Sequence, residues 1–462
     1  MHLTQRQIQH LFLRAGYGIS YNALQQYKGK TSETIVNEIF NKAEDPVYLQ
    51  VAEKNEFIPL ALGNPEGSRV FFDRSRRVLM DLNAAWLKNM AAREGNIREK
   101  MTLFWHGHFA ATSHNPYLVQ QKNNLIRKHA LGNFGELLRA VMKDAVMLQY
   151  LNSQPDSEDT PNVHFAREVM ELITLGKGHC SEQDIKEAAR SFTGWGINEQ
   201  GDYIFRTLVH DYGEKTVLGQ TGSFEGDDIL DILLQQEQTA KFIVGKIYTY
   251  FVNNVPDPYK IEPLAEKFFR SGYDITGLLK DIFTSEWFYD KKNIGCMIKS
   301  PVELIASNMH VFKLDFENIE ALMGIQKLLG QMLFSPPSVA GWPSGAGWID
   351  ASSLMLRLRL TEATLYASRL NMFMLNDIDE DSRIMKRIIE LQANFDWSSF
   401  RNQFKFEPPY DDIEDTLIVY LLQNSISRET YQLLIADNHS PVDERIFSVI
   451  TKVSRLPEFQ MC

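Results

Sequence analysis

The chain has 462 residues, a formal net charge of −11 and a hydrophobic content of 44%. These values predict a well-packed globular protein and exclude an intrinsically disordered one. The acidic balance also argues against nucleic acid or an anionic membrane surface as the main partner, because both are bound by a basic face.

Cysteine usage and the N-terminal residues favour a protein that stays inside the cell. Cys180, Cys296 and Cys462 are far apart and form neither a Cys-x-x-Cys pair nor a disulfide framework. The first residues lack the basic region, apolar core and cleavage site of a signal peptide. No apolar run reaches the roughly 18 residues of a spanning helix. We therefore expect a cytoplasmic protein as the chain is written, without a transmembrane segment.

Apolar residues recur at helical spacing along most of the chain, which predicts a mainly α-helical fold and one large domain over residues 1–462. The predicted helices cover residues 4–14, 32–40, 74–93, 97–109, 123–130, 134–143, 145–152, 160–175, 182–192, 227–235, 239–251, 261–271, 275–284, 301–311, 350–370 and most of 380–460.

Three stretches depart from the helical pattern. Residues 41–70 lack periodicity and contain several prolines, which predicts a loop or a lid-like segment. Residues 195–224 contain short β-type runs bracketed by glycines, which predicts a small β-hairpin. Residues 334–348 are rich in Pro, Gly and Trp and are expected to form an irregular loop. Its tryptophans, Trp342 and Trp348, either fix that loop to the core or present aromatic platforms to a sugar or peptide.

The helix predicted to begin at Thr160-Pro161 carries the densest set of polar residues at helical spacing. His164, Glu168 and Glu171 fall at i, i+4 and i+7, on one strip of its surface. Carboxylates and an imidazole on one strip can bind a metal ion or transfer protons. The alternative is a solvated edge on which Arg167 pairs with Glu171. Glu168 lies nearest the apolar face and is therefore the stronger catalytic candidate.

Two further pairs qualify as candidate sites. His106 and His108, in FWHGHFAATSH, would share a metal ion if the segment were extended. Residues two apart on a helix point in nearly opposite directions, so buried, hydrogen-bonded histidines are the alternative there. His210-Asp211 lies in the glycine-rich region, where loops often carry functional groups.

Several motifs, in the same order from about residue 10 to 460, together resemble a bacterial family called domain of unknown function 1800. They are HLFLRAGYG, KMTLFWHGHFA, PNVHFAREVMELITLGKG, EAARSFTGW, HDYGEKTVLG, IKSPVEL, LGQMLFSPPSVAGWPSGAGWI and the closing RLPEFQ. The resemblance implies one large helical domain and no established reaction. Many members are exported, which implies a periplasmic or exported location. A sulfatase-like family often encoded beside them implies a sulfatase-like partner protein.

The family pattern usually has Glu-Asn where this chain has Val163-His164, which weakens His164 as a functional residue. His106, His108, Glu168 and Glu171 match that pattern.

Two functions follow from these observations. The first is a metal-assisted enzyme, hydrolase-like or oxidoreductase-like. In it His106 and His108 bind a divalent metal ion and Glu168 acts as base, while Glu171, His210 and Asp211 complete the site. The alternative is a non-catalytic binding or assembly protein that meets a sulfatase-like partner through residues 334–348. An enzyme would bring its polar residues into one concave pocket, whereas a scaffold would expose an apolar patch.

Overall fold

The structure is a computed structural model that describes residues 1–57, 65–151, 161–365, 393–408, 410, 412–435 and 440–462. Within these ranges lie 22 α-helices and three two-stranded antiparallel sheets. The mainly α-helical fold predicted from the sequence is confirmed. No helix in the described ranges is long and apolar enough to cross a membrane.

The N-terminal part folds into nine α-helices. Thr4, Asn115 and Asn133 are N-caps whose side chains accept hydrogen bonds from main-chain N–H groups of the first turn. The helices are α1 (Gln5–Arg14), α2 (Tyr21–Tyr27), α3 (Ser32–Asn41), α4 (Lys54–Phe57), α5 (Pro65–Ala91), α6 (Ile97–His108), α7 (Pro116–His129), α8 (Phe134–Met142) and α9 (Ala145–Leu151).

The remainder combines helices with short strands and one π-helical segment, Glu168–Thr174. Its α-helices are α10 (Val163–Arg167), α11 (Glu182–Phe192), α12 (Gly226–Leu234), α13 (Glu237–Phe251), α14 (Pro258–Arg270), α15 (Ile275–Thr284), α16 (Pro301–Phe312), α17 (Ile319–Leu328), α18 (Ala351–Leu365), α19 (Trp397–Arg401), α20 (Ile413–Leu421), α21 (Arg428–Leu434) and α22 (Val442–Ser454). Short 3₁₀ helices occur at Thr207–Val209, Glu286–Tyr289, Gly345–Trp348 and Pro457–Gln460.

Six strands form three separate pairs. They are β1 (Trp195–Ile197) with β2 (Tyr203–Phe205), β3 (Lys215–Val217) with β4 (Gln220–Gly222), and β5 (Leu314–Phe316) with β6 (Ala393–Phe395). The predicted strand region over 195–224 is confirmed, but it contains two hairpins instead of one. Leu218 and Gly219 close the second with positive φ angles, as a two-residue hairpin turn requires. The β5–β6 pair was not predicted, because its strands are far apart in sequence.

A buried ion pair joins α6 to α7. Arg127 on α7 donates to both oxygens of the Glu99 carboxylate on α6, at 2.6 and 2.9 Å. The indole of Trp86 on α5 donates to the same carboxylate at 2.7 Å. All three side chains are almost fully buried. Because a buried charge must be paired and hydrogen-bonded, this set specifies how α5, α6 and α7 pack.

The loop predicted over 41–70 is wrong in part. A short helix occupies Lys54–Phe57, and α5 already begins at Pro65. Proline is favoured at the first position of a helix, so its presence there was misread as a loop signal. Gln120 on α7 accepts from the N–H groups of Val51 and Ala52. The segment before α4 is therefore fastened along α7. Residues 58–64 lie outside the described part.

The helix predicted from Thr160 also needs correction. Thr160 lies outside the described residues, and Asn162 is the N-cap of a helix that starts at Val163. From Glu168 the chain winds as a π-helix up to Thr174, a form that occurs mostly at functional sites. Gly176 then follows with a φ of 85°, in agreement with the predicted glycine end.

The C-terminal prediction was too uniformly helical. Residues 366–392 lie outside the described part, so the predicted helical segments there are not described. In the part that follows, the strand β6 comes first, and the separate helices α19, α20, α21 and α22 come after it.

Candidate functional site

A cavity of about 380 Å³ lies between α6 and α13. Some of the residues that line it are exposed, and others are deeply buried. Asn254, Pro343 and Ser344 are exposed and form its rim, whereas Lys100 and His108 are buried. The start of α16 and the loop before α18 complete the wall. A small molecule entering from the rim would therefore meet titratable groups at the bottom.

Helical spacing places those groups on facing stripes. On α6, Lys100, Phe104 and His108 recur every fourth residue, and all three line the cavity. On α13, Lys246 and Tyr250 are also four residues apart and line it from the other side. Residues four apart lie on one face of a helix, so each helix presents a continuous stripe. The Phe104 and Tyr250 rings meet with centroids 5.2 Å apart.

His108 has both ring nitrogens engaged. Its Nε2 lies 3.0 Å from the carbonyl oxygen of Ile173, and its Nδ1 lies 2.8 Å from Nζ of Lys246. A carbonyl only accepts, so Nε2 carries the proton and Nδ1 accepts from Lys246. Burial lowers the pKa of His108 well below its usual value, and the charge of Lys246 adds to this shift. The imidazole is therefore neutral and fixed in one tautomer.

The acceptor for His108 comes from the π-helical segment. Ile173 is the penultimate residue of that segment, where carbonyl groups lack partners within the helix. The stretch with the densest polar residues thus contacts the cavity through its main chain.

Lys246 has no acidic partner. No carboxylate in the described part of the chain forms an ion pair with it, and its one hydrogen bond is to His108. Burial lowers the pKa of Lys246 from 10.5 to about 8. A lysine in this setting is a mixture of ammonium and amine near neutral pH.

The other charged groups of the cavity are paired. Lys100 forms an ion pair with Glu303 of α16 at 2.5 Å, and both side chains are largely buried. Burial works to raise the pKa of Glu303, but Lys100 and the Ser300 cap hold it below its usual value. Arg14 donates to the main-chain oxygens of Asn293 and Cys462. These contacts assign Lys100, Glu303 and Arg14 to the framework of the cavity.

Tyr250 supplies a hydroxyl group to the same space. Burial raises the pKa of Tyr250 well above its usual value, and the negative charge of Glu303 raises it further. The phenol therefore keeps its proton at physiological pH and can act as a hydrogen-bond donor.

The loop of residues 334–348 closes one side of the cavity. Trp348 is buried and Trp342 is half-buried, and both line the cavity. Gly341 has a φ of 80°, and a Cβ atom there would lie 2.4 Å from the carbonyl oxygen of Gly107 on α6. Only glycine allows the loop to approach α6 this closely. The tryptophans thus fix the loop and also give the cavity aromatic walls.

A family model covers nearly the whole chain. The model described as "Protein of unknown function (DUF1800)" matches residues 10–461. The chain belongs to this family. No curated protein and no solved structure matches the chain. Membership in DUF1800 therefore assigns no reaction, and functional inference depends on the geometry.

Several motifs by which the chain resembles DUF1800 meet at the cavity. Arg14 comes from HLFLRAGYG, His108 from KMTLFWHGHFA, Glu303 from IKSPVEL and Trp342 from the Pro/Gly/Trp loop. Lys246 lies outside all of these motifs. Segments that carry the family resemblance thus line the cavity, whereas Lys246 lies outside them.

Only His108 among the predicted site residues lines this cavity. His106 is buried on another side of α6, where its ring lies against Trp86 and Trp342. Its Nε2 accepts from the main-chain N–H of Phe334 at 3.3 Å. The nitrogen lone pairs of His106 and His108 are thus both occupied by protein donors. The structure does not bring these histidines together as a pair of metal ligands.

No group of three or more His, Cys, Asp and Glu residues suited to a metal ion occurs in the described ranges. The metal site at His106 and His108 therefore stays a prediction from the sequence.

Glu168 and Glu171 lie on the π-helical segment but do not line the cavity. Burial raises the pKa of Glu168, although His164, at 3.7 Å, opposes the shift. One carboxylate oxygen of Glu168 is buried without a hydrogen-bond partner in the described structure. The alternative prediction for this strip was a pair of Arg167 with Glu171. In the structure Arg167 instead donates two hydrogen bonds, both of 2.7 Å, to Glu182.

His210 and Asp211 belong to a separate polar cluster. His210 Nδ1 lies 2.8 Å from the carbonyl oxygen of Thr193, and Arg190 donates to both oxygens of Asp211 at 2.6 and 3.2 Å. Burial acts to raise the pKa of Asp211, but Arg190 and the N–H of Gly213 bring it below its usual value. These contacts fix the hairpins against α11.

The sequence did not indicate Lys246, Lys100 or Tyr250 as candidate site residues. One signal was available, since Lys100, Phe104 and His108 share a helical stripe that extends the FWHGH motif. Lys246 gave no signal, because its significance arises only from the contact with α6, 138 residues away along the chain.

Proposed function

We propose that the cavity between α6 and α13 is the active site of an enzyme that transfers protons to and from a small-molecule substrate through Lys246. The observation that carries this proposal is the 2.8 Å contact of Lys246 Nζ with His108 Nδ1 at a cavity wall, where Lys246 has no carboxylate partner among the described residues. Burial also lowers the pKa of Lys122 and Lys299 to about 8, but these lysines donate to main-chain carbonyl groups and do not line this cavity.

The titration of Lys246 suits this role. General acid–base catalysis is most efficient when the pKa of the group is near the working pH. With its pKa lowered to about 8, Lys246 is able to donate and to accept a proton near neutrality. His108, neutral and held by Ile173, keeps Nζ at the cavity wall. Perturbed lysines in concave sites are more often functional than exposed ones.

The dimensions favour a small molecule as substrate. A volume of about 380 Å³ falls within the roughly 300–1,000 Å³ of known small-molecule sites. Phe104, Trp342 and Trp348 supply apolar contact area, whereas Lys246 and Tyr250 supply polar groups. This mixture of apolar wall and few polar groups is typical of substrate sites.

Competitive acetylation tests the proposal without knowledge of the substrate. The protein is treated with trace acetic anhydride between pH 6 and 11, and the acetylation of each lysine is quantified by peptide mass spectrometry. Lys246 is expected to titrate with a pKa near 8. Lys241, exposed on the same helix, is the internal control. A Lys246 titration that coincides with that of Lys241 would refute the proposal.

The geometry gives little support to either function predicted from the sequence. Metal assistance through His106 and His108 gains no support from the geometry, because both rings are engaged by protein donors. The scaffold alternative needs an exposed apolar surface on residues 334–348, but the tryptophans of that loop face the cavity. A sulfatase-like partner is supported by family resemblance alone.

A further inference from the structure

We propose that Lys246 is a nucleophile that forms an imine with the carbonyl group of an aldehyde or ketone substrate. This inference deepens the function proposed above and rests on it, because it names the substrate class of the same cavity. It starts from a difference between the two lysines that line the cavity, Lys100 and Lys246.

Lys100 and Lys246 are in opposite electrostatic situations. Lys100 is held as an ammonium by Glu303 at 2.5 Å, so its nitrogen lone pair is not available. Lys246 has an imidazole as its partner and lies 5.3 Å from the centroid of the Phe242 ring. An ammonium loses its proton more readily beside a neutral base and an apolar ring than beside a carboxylate. A desolvated lysine without a carboxylate partner is the setting in which amines act as nucleophiles.

The position of His108 suits the proton transfers of this reaction. Nζ of Lys246 attacks the carbonyl carbon, the carbon–nitrogen bond forms, and the carbonyl oxygen becomes a hydroxyl group. That hydroxyl then leaves as water when the carbon–nitrogen double bond forms, so both amine protons depart with the oxygen. His108 Nδ1, which faces Nζ at 2.8 Å, accepts and returns a proton in these steps. No oxidant, reductant or further reactant is needed.

Tyr250 is placed to assist the loss of water. It lies four residues from Lys246 on α13 and lines the same cavity. Its phenol keeps its proton at physiological pH, because burial and Glu303 raise its pKa, and donates a hydrogen bond to the departing hydroxyl group. The aromatic walls formed by Phe104, Trp342 and Trp348 favour a carbonyl compound with an apolar or ring-shaped remainder.

Reductive trapping tests the inference on the wild-type protein. The folded protein is incubated at pH 7 with benzaldehyde and sodium cyanoborohydride, which converts an imine into a stable benzylamine. Benzylation of each lysine is then counted by peptide mass spectrometry. Lys246 is expected to react about tenfold faster than Lys241 or more, because a lowered pKa leaves more free amine. Equal or slower labelling of Lys246 would overturn the inference.

Matched variants separate nucleophilic reaction from mere accessibility. His108→Gln removes the proton acceptor and should slow labelling of Lys246 by about 100-fold, the lower end of a general-base contribution. His129→Gln changes a histidine of α7 that does not line the cavity, and should leave the labelling rate unchanged. Circular dichroism and thermal unfolding verify that both variants are folded. Equal labelling of Lys246 in both variants would contradict the role given to His108.

The imine and acid–base proposals fail in different ways. If acetylation shows an ordinary pKa for Lys246, both are refuted. If Lys246 titrates near 8 but benzaldehyde gives no selective trapping, the imine is refuted and the acid–base function stands. Protection of Lys246 from acetylation by benzoate, without trapping by benzaldehyde, would make the cavity an anion site and would also overturn the imine.

Discussion

Two regions of the molecule each place a histidine beside charged groups, and they differ in how those charges are satisfied. Around His210, Arg190 donates to both oxygens of Asp211, and Thr193 holds the imidazole. Around His108, Lys246 has no acidic partner in the described part of the chain and borders a cavity of about 380 Å³. The first cluster joins α11 to the hairpins, whereas the second places a lysine without a carboxylate partner at the wall of a cavity.

This difference distinguishes polar residues that stabilise the fold from polar residues that we propose to act on a substrate. A paired charge lowers the free energy of the folded state and has no unused bonding capacity. An unpaired, partly buried ammonium raises that free energy, and such a cost is typical of functional sites. The two clusters should therefore respond to mutation with opposite signs, and the predictions below test this contrast.

The largest effect is expected from Asp211→Ala. This change removes the carboxylate that accepts two hydrogen bonds from Arg190, which keeps only Glu187 as an acidic partner, and it removes the acceptor for the N–H of Gly213, so the free energy of unfolding should fall by about 2–3 kcal/mol. Urea denaturation measures it. Asp202→Ala, at an exposed position of the same region, is the control and should change stability by less than about 0.5 kcal/mol. A loss no larger than that of the control would show that the Arg190–Asp211 pair does not stabilise this region.

The opposite sign is expected for Lys246→Met at pH 7. Removal of a partly buried ammonium should raise the free energy of unfolding by about 1–2 kcal/mol. Below about pH 8 the ammonium is present in the folded and unfolded states alike, and burial disfavours the folded one. Between about pH 8 and 10.5 the folded state loses its proton first, so the wild type regains stability as the pH rises.

The advantage of Lys246→Met over the wild type should accordingly shrink across that interval. Urea denaturation at several pH values measures this difference, and Lys241→Met serves as the exposed control. A constant difference from pH 7 to 10.5 would mean that Lys246 titrates alike in both states.

An effect of similar size, confined to one loop, is expected from Gly341→Ala in the cavity wall. Its Cβ would collide with the carbonyl oxygen of Gly107, which should lower stability by about 2 kcal/mol and accelerate hydrogen exchange in residues 334–348. Gly330→Ala is the matched control. Its φ of 88° is equally unfavourable for alanine, but no atom lies within 4 Å, so it should cost only about 1 kcal/mol. Equal losses of stability in the two variants would show that the loop does not approach α6 this closely.

The smallest effect is expected from Glu168→Gln. Burial raises the pKa of Glu168, so its ionised form is disfavoured in the folded state at neutral pH. Replacement by a neutral amide should change stability by no more than about 1 kcal/mol, toward a more stable protein. Differential scanning calorimetry measures the shift, and Glu171→Gln is the neighbouring control. A loss of several kcal/mol would identify Glu168 as a structural partner, comparable to Asp211.

Local patterns in the sequence were sufficient for most of the helices. Apolar spacing specified α6, α8 and α13 to within a few residues. The cap formed by Ser181 and Asp184 was read correctly at the start of α11. Errors arose where local signals are ambiguous: Pro65 begins a helix instead of breaking a loop, and the polar stretch after Arg167 winds as a π-helix.

The candidate site was only partly accessible to the same reasoning. The sequence placed His108 at the end of a predicted helix and residues 334–348 in an irregular loop, but it left open whether His106 and His108 share a metal ion. Only the tertiary structure decided which charges find partners. Arg167 pairs with Glu182 and Lys100 with Glu303, whereas Lys246 finds His108 and no carboxylate. The physical reason is that desolvation and ion pairing depend on groups brought together from distant segments, whereas helical periodicity depends on neighbours along the chain.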